Sequence, residues 1–170
     1  MTSAIRPIFS QTTIVFLAIL MSCTAWAKEI SGRVVAIADG DTATVLVAGN
    51  RQVRVRLAAI DAPERAQPFG NRSKEALSKL IFGKEVVVKV TDTDRYKRTV
   101  GIIMLGETDV NLEMVRLGYA WVYRQYVINL PRAQALQYSA AEDIARREKR
   151  GLQSSTVRRQ KRGFFENHPT

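Results

Sequence analysis

From residue 29 onward, apolar and polar positions alternate with the period of two that marks a half-buried strand. Residues 29–38 predict a first strand and residues 42–48 a second, rich in β-branched side chains. Residues 51–60 predict a third, clearest where Val53, Arg54, Val55, Arg56 and Leu57 alternate. Asp39-Gly40-Asp41 makes a turn between the first two, and Gly49-Asn50 is a two-residue connection of the kind that closes a hairpin. The third strand must stop before Pro63, which has no N–H to give to a sheet. Three strands joined by tight turns point to an antiparallel meander.

The period changes over residues 67–82, where Ala76, Leu77, Leu80 and Ile81 share one face of a helix that Gly83 closes. Val86, Val88 and Val90 then mark a fourth strand, residues 92–98 a polar turn, and residues 99–105 a fifth strand. Residues 111–117 predict a short helix capped by Asn111 and stopped by Gly118. Pro131, at a first-turn position, opens a last helix that runs to Arg150 and ends at Gly151. Its inner face is expected at Leu136, Ala140 and Ile144, with the charged run 142–150 mostly in solvent. Five strands, one helix between the third and fourth and the others after the fifth, predict an α+β, mainly β class. The architecture expected is a five-stranded OB-type barrel with about three helices.

Residues 1–27 do not join this pattern. Arg6 is their only charge, residues 13–22 form a short apolar run, and Ala25-Trp26-Ala27 has the small-x-small form of a cleavage site. The segment reads as a secretory signal peptide, with an apolar run too short to span a membrane comfortably. Leu20-Met21-Ser22-Cys23 also resembles a lipoprotein box. Periplasmic or secreted release and lipid anchoring through Cys23 are therefore both expectations for this chain. The remaining 28–170 segment divides into a folded domain, 28–152, and a basic tail, 153–170, in which no apolar period is visible. Arg158-Arg159-Gln160-Lys161-Arg162 in that tail reads either as solvated chain or as a nonspecific nucleic-acid or membrane contact.

The 170 residues suit one domain. With Cys23 in the leader and the only histidine, His168, near the C-terminus, a Ser-His-Asp triad, a His-rich zinc site and a thiol nucleophile are excluded from the folded part. The formal charge is +10, and removing Arg6 with the leader leaves +9, a balance suited to polyanions.

The candidate chemistry collects at strand ends. Hairpin pairing of the second and third strands brings Asp41 and Asp61 side by side, an oxygen-ligand pair for a hard cation such as Ca²⁺ or Mg²⁺. Arg56 approaches the same end, and Arg98 follows Asp94-Arg95-Tyr96-Lys97 in another turn. Guanidinium forks match phosphate. Carboxylates with a cation on one side and two arginines on the other describe a phosphodiester site, with Glu64 placed to act on water.

With these residues in view, the chain resembles the thermonuclease family, the staphylococcal or micrococcal nuclease-like enzymes, over roughly residues 30–152. The resemblance rests on Asp39-Gly40-Asp41-Thr42; on Arg56-Leu57 with Ile60-Asp61-Ala62-Pro63-Glu64; and on Gln67-Pro68-Phe69-Gly70. It continues through Asp94-Arg95-Tyr96-Lys97-Arg98 and Val110-Asn111 with Met114-Val115-Arg116 and Gly118. It implies a Ca²⁺-dependent endonuclease of DNA and RNA with little sequence preference and 3′-phosphate products, monomeric and without an obligate protein partner. By position, Asp41, Asp61 and the Ala62 carbonyl would be the protein ligands of Ca²⁺. Arg56 and Arg98 would bind the scissile phosphate, and Glu64 would act as the base. Tyr96 matches a tyrosine beside the substrate phosphate, Tyr123 or Tyr126 would supply a ring for a base, and Lys97 would either change the turn that presents Arg98 or add a phosphate contact. The chain departs from the family at Lys97, where glycine is usual, at Ala62 in place of threonine, and at Gln153 in place of tryptophan. The rival expectation is a nucleic-acid-binding barrel of the same fold without catalysis.

Overall fold

A computed structural model describes residues 28–154. The predicted signal peptide, Cys23, the basic cluster 158–162 and His168 lie outside the described residues. The chain folds as a closed five-stranded barrel flanked by helices, the predicted class. Strand β1 (Glu29–Asp39) pairs antiparallel with β2 (Thr42–Val47) through one half and with β5 (Glu85–Thr93) through the other. Strand β2 pairs with β3 (Arg51–Leu57), and β5 with β6 (Thr99–Leu105). The barrel closes where β3 and β6 run parallel, Val55 beside Thr99 and Leu57 beside Gly101. The alternation of β3 explains its two faces: Val53, Val55 and Leu57 enter the core, and the arginines between them stay outside.

The third strand ends three residues earlier than the pattern suggests. From Leu57 to Ile60 four consecutive residues are buried, so the period of two is already lost. Ala59 has φ +60°, turning the chain out of the barrel. A separate strand β4 (Ile60–Asp61) then pairs with β8 (Trp121–Val122). A further two-residue strand, β7 (Thr108–Asp109), extends the β6 edge.

Helix α1 (Gly70–Ile81) begins three residues later than the pattern suggests, because Pro68 disfavours helical geometry at Gln67 and Phe69, at φ +66°, is left-handed. It buries Ser73, Ala76, Leu77 and Ile81 against the barrel, close to the predicted face. Helix α2 (Val110–Arg116) is capped by Asp109, whose side chain accepts from the Leu112 amide at 3.0 Å. Asn111 is therefore not the cap expected from sequence. It is fully buried, accepts from the Ile103 amide, and donates to the carbonyls of Ala58 and Gly101 at 3.0 and 3.1 Å. One amide side chain thus satisfies three backbone groups where the chain leaves the barrel.

A single turn, α3 (Arg124–Val127), precedes α4 (Arg132–Arg147), which has Pro131 at its N-cap rather than at its first helical residue. The expected inner face of α4 is wrong. Leu136 and Ile144 are 61% and 38% exposed and Ala140 is exposed, whereas Tyr138, Ala141, Glu142 and Ala145 are buried. The buried stripe carries polar groups with partners, which an apolar count cannot see. The Tyr138 hydroxyl lies 2.9 and 3.0 Å from the two Asp109 carboxylate oxygens. Burial, then the Asp109 charge, drive the Tyr138 phenol far above its usual range, so it stays a donor. Glu142, expected in solvent, accepts from the Val122 amide at 2.8 Å and pairs with Arg124. It thereby fixes the segment that carries Tyr123 and Tyr126.

Candidate active site

The Asp39-Gly40-Asp41 turn is clamped from three sides. The Asp41 carbonyl accepts from the Leu57 amide at 2.8 Å, so β2 and β3 are held together at this end. One Asp41 carboxylate oxygen accepts from the Thr42 hydroxyl, the other from the Ala62 amide, both at 3.1 Å. A side-chain carbon at Gly40 would sit 1.8 Å from the Ser73 hydroxyl, so only glycine lets α1 pack against the turn. Asp41 is 3% exposed.

Arg56 joins the two predicted metal-ligand aspartates. Its guanidinium lies 2.5 Å from Asp41 Oδ2 and 3.6 Å from Asp61 Oδ1. Burial alone would push the Asp41 carboxyl up, but the Arg56 charge and the hydrogen bonds around it outweigh this and hold it below the usual carboxylate range. Asp39, which the pattern marks only as a turn residue, is pushed up to about 6 by burial and by the Asp41 charge. Among the described residues no three His, Cys, Asp or Glu side chains gather to hold a metal by themselves. A hard cation at Asp41 and Asp61 would therefore need the Ala62 carbonyl and several waters, which the six to eight oxygens of Ca²⁺ coordination allow. The donors are all oxygen, two of them carboxylate groups already brought together by one cation, so the residue set fits that group.

Beside this end of β3 lies a cleft of about 480 Å³. It is lined by Arg56, Arg98, Tyr96, Tyr123 and Tyr126, all site candidates from sequence, by Asp94, which the sequence marks only as the start of a turn motif, and by Asn129 and Leu130, which it does not mark. Asp41, Asp61, Ala62, Glu64 and Lys97 do not line it. Arg98 is held by Asp94 at 2.7 Å through its Nε, and Asp94 Oδ1 accepts from the amides of Tyr96 and Arg98, both at 2.9 Å. Burial opposes ionisation of Asp94, but these contacts with Arg98 prevail and lower its pKa. The sequence signal for this role was available: an aspartate opening a polar turn commonly bonds its own following amides. Tyr96 is half exposed beneath two cations, with the guanidinium carbons of Arg95 and Arg98 5.0 and 5.5 Å from its ring centre. The rings of Tyr123 and Tyr126 lie 4.9 Å apart and 49° from parallel, and both line the cleft. For Asn129, a polar residue after a one-turn helix, the sequence carries no signal.

Glu64 is exposed on the loop between β4 and α1. Its amide donates to Gln67 Oε1 at 3.0 Å and its carbonyl accepts from the Gln67 amide at 2.8 Å. A Cβ at Gly70 would fall 2.0 Å from the Glu64 carbonyl oxygen, so this glycine is what allows the loop to sit on the start of α1.

Lys97 has φ +59°, which explains why a glycine suits this place in the turn. The left-handed conformation costs a non-glycine residue roughly 1–2 kcal/mol. Glycine would relieve that and lose part of the gain to its freer unfolded chain. Lys97→Gly is therefore expected to stabilise the protein by about 0.5 kcal/mol, read as a small rise in melting temperature.

The family described as staphylococcal nuclease homologue matches residues 54–155. A Haemophilus influenzae protein described as an uncharacterized endonuclease is 40% identical over 139 residues, 82% of this chain and 77% of its own length. A micrococcal nuclease of Shigella flexneri is 44% identical over 146 residues, 80% of each chain. Protein ParB of Escherichia coli is 44% identical over 115 residues, 62% of this chain and 64% of its own.

Proposed function

This chain belongs to the staphylococcal nuclease homologue family, and on that premise we propose that it is a metal-dependent endonuclease that hydrolyses phosphodiester bonds of DNA and RNA. The observation that carries the reading is Arg56. Arg56 lines the cleft that holds Arg98, and its guanidinium meets the carboxylates of Asp41 and Asp61. A phosphate in the cleft would be gripped from two sides by permanently charged forks. Asp41, Asp61 and the Ala62 carbonyl would hold Ca²⁺, which supplies charge compensation to the phosphoryl oxygens when bound.

In this reading Glu64 takes a proton from water, the water oxygen bonds to phosphorus, and the bond to the 5′ oxygen breaks, leaving a 3′-phosphate end and a 5′ oxygen that takes a proton from solvent to depart as the hydroxyl. Negative charge accumulates on the phosphoryl oxygens, and Arg56 and Arg98 are positioned to stabilise it. Asp94 holds Arg98 in place, and the tyrosine wall offers ring faces to bases without selecting among them. The leader supports export, with release or attachment at Cys23 as its two outcomes.

The test uses supercoiled plasmid, single-stranded DNA and RNA, each with Ca²⁺, with Mg²⁺ and with a chelator. Cleavage of all three with Ca²⁺ and none in chelator is expected. Retarded but intact nucleic acid under every metal would instead assign the protein to binding without catalysis.

A further inference from the structure

The cleft accounts for one phosphate and its adjoining base, yet the outer face of β3 continues past it. Arg54 stands two residues before Arg56 on the same face, exposed, while Val53 and Val55 point inward. Two residues along a strand advance about 6.7 Å, comparable with the step between neighbouring phosphates of a nucleic-acid strand. The parallel register opens with Val55 beside Thr99 and Arg56 beside Val100, so Arg54 and Arg98 are the residues that immediately precede it on the two chains. Val100 and Arg98 both line the cleft. Arg54 does not itself line the cleft, and it precedes Arg56 on β3, whereas Tyr123 is bonded through its amide to the Ala59 carbonyl past the other end of the strand.

The surroundings of Arg54 leave its charge available. Its cross-strand neighbour on β2 is Thr44, and the next outward residue on its own strand is Gln52, both neutral. Asp94, the acid of the adjoining turn, is taken up by Arg98. The Arg54 side chain has no hydrogen-bond or ion-pair partner among the described residues. Arg56 and Arg98 differ from it in this respect, since each is held by a carboxylate.

We propose that Arg54 is a second phosphate subsite, which takes the phosphate next to the scissile one on a single nucleic-acid strand running from the tyrosine wall, across Arg56 and Arg98, onto the outer face of β3. It deepens the nuclease reading and rests on it. A phosphate contact carries no sequence information, so the subsite would lengthen the footprint of the enzyme without narrowing its specificity.

The experiment compares the wild-type protein with Arg54→Gln and Arg54→Lys on a dinucleotide and on a long single strand. Arg54→Gln is expected to raise KM for the long strand about two- to fivefold, the size of an exposed charge contact. Its kcat should be unchanged, and its kinetics on the dinucleotide should match wild type. The slope of log KM against log salt should fall by about 0.7, one phosphate's share for single strands. Arg54→Lys, which keeps the charge, should recover most of the loss. An unchanged KM on the long strand overturns the subsite, and so does an equal change on the dinucleotide, which would place Arg54 at the reacting phosphate. Binding of the long strand in chelator, read by fluorescence anisotropy, repeats the comparison without cleavage. A wild-type protein that binds but does not cleave overturns the nuclease reading, and Arg54 then stands or falls on the binding slope alone.

Discussion

Glu64→Gln is expected to lower the rate of phosphodiester cleavage about 10²–10⁴-fold, the usual contribution of a positioned general base. The substitution is nearly isosteric and falls on an exposed side chain. The backbone bonds that seat this loop, from the Glu64 amide to Gln67 Oε1 and from the Gln67 amide to the Glu64 carbonyl, use no carboxylate. Melting temperature and retardation of single-stranded DNA in chelator should therefore match wild type. The loss should appear in kcat, because the base acts on water and not on the bound strand. A variant that cleaves at the wild-type rate would remove Glu64 from the chemistry, and one that loses binding as well would make it a structural residue of the loop. A non-catalytic barrel has no such activity to lose, so the same pair of measurements separates the two readings of the fold.

Much of this site is visible in the amino-acid sequence alone. Val53 to Leu57 alternates, so β3 and the outward direction of Arg56 follow from the period alone. The connection into β3 is the three-residue turn Ala48–Asn50 rather than the two-residue Gly49-Asn50 expected, yet it pairs β2 with β3 and brings Asp41 to the same end. What is hidden is set by tertiary partners. Asn111 has the composition of a helix cap, and only the arrival of Ala58, Gly101 and Ile103 around it turns it into a buried bridge. Glu142 looks like one charge in a solvated run until the Val122 amide needs an acceptor. With Tyr138 and Glu142 inside, α4 rotates away from the face that its leucine and isoleucine suggest. Polar residues on a buried stripe pack well when they are satisfied, and hydropathy alone scores them as surface. The cleft is of the same kind. Tyr123 and Tyr126 come from beyond β8, and the strand pairing that places them, Asp61 beside Trp121, spans two residues on each side and has no sequence period at all.

The second large effect is expected at Arg56, and it should appear in stability as well as in rate. Removing one charged group that grips the reacting phosphate costs about 10²–10³ in kcat, so Arg56→Met should be nearly inactive. In chelator it should also be destabilised. Asp41 is 4% exposed at its side chain and Arg56 13%, and taking one partner from a buried pair costs about 3–5 kcal/mol because the other charge is left uncompensated. The cleft admits some water, which argues for the lower end, about 3 kcal/mol. The pH dependence identifies the cause. In the wild-type protein the Asp41 pKa lies below its ordinary value of 3.8, so its contribution to stability is complete above that value and is lost as pH falls further. Without the guanidinium, burial dominates and raises the Asp41 pKa, so the variant loses stability as pH rises through that raised value. Asp39, already at about 6, shifts the same way when the nearby positive charge is removed. The gap between the two proteins should thus be wide at pH 7 and should narrow near pH 4, read by urea melts in chelator at both. An equal gap at both values would make the loss one of packing rather than charge. Adding Ca²⁺ at pH 7 supplies the second discriminator. If Asp41 and Asp61 are the ligands, a cation that binds only the folded state stabilises the protein according to its concentration over Kd. With the competing guanidinium gone, the variant should gain more from Ca²⁺ than the wild type does.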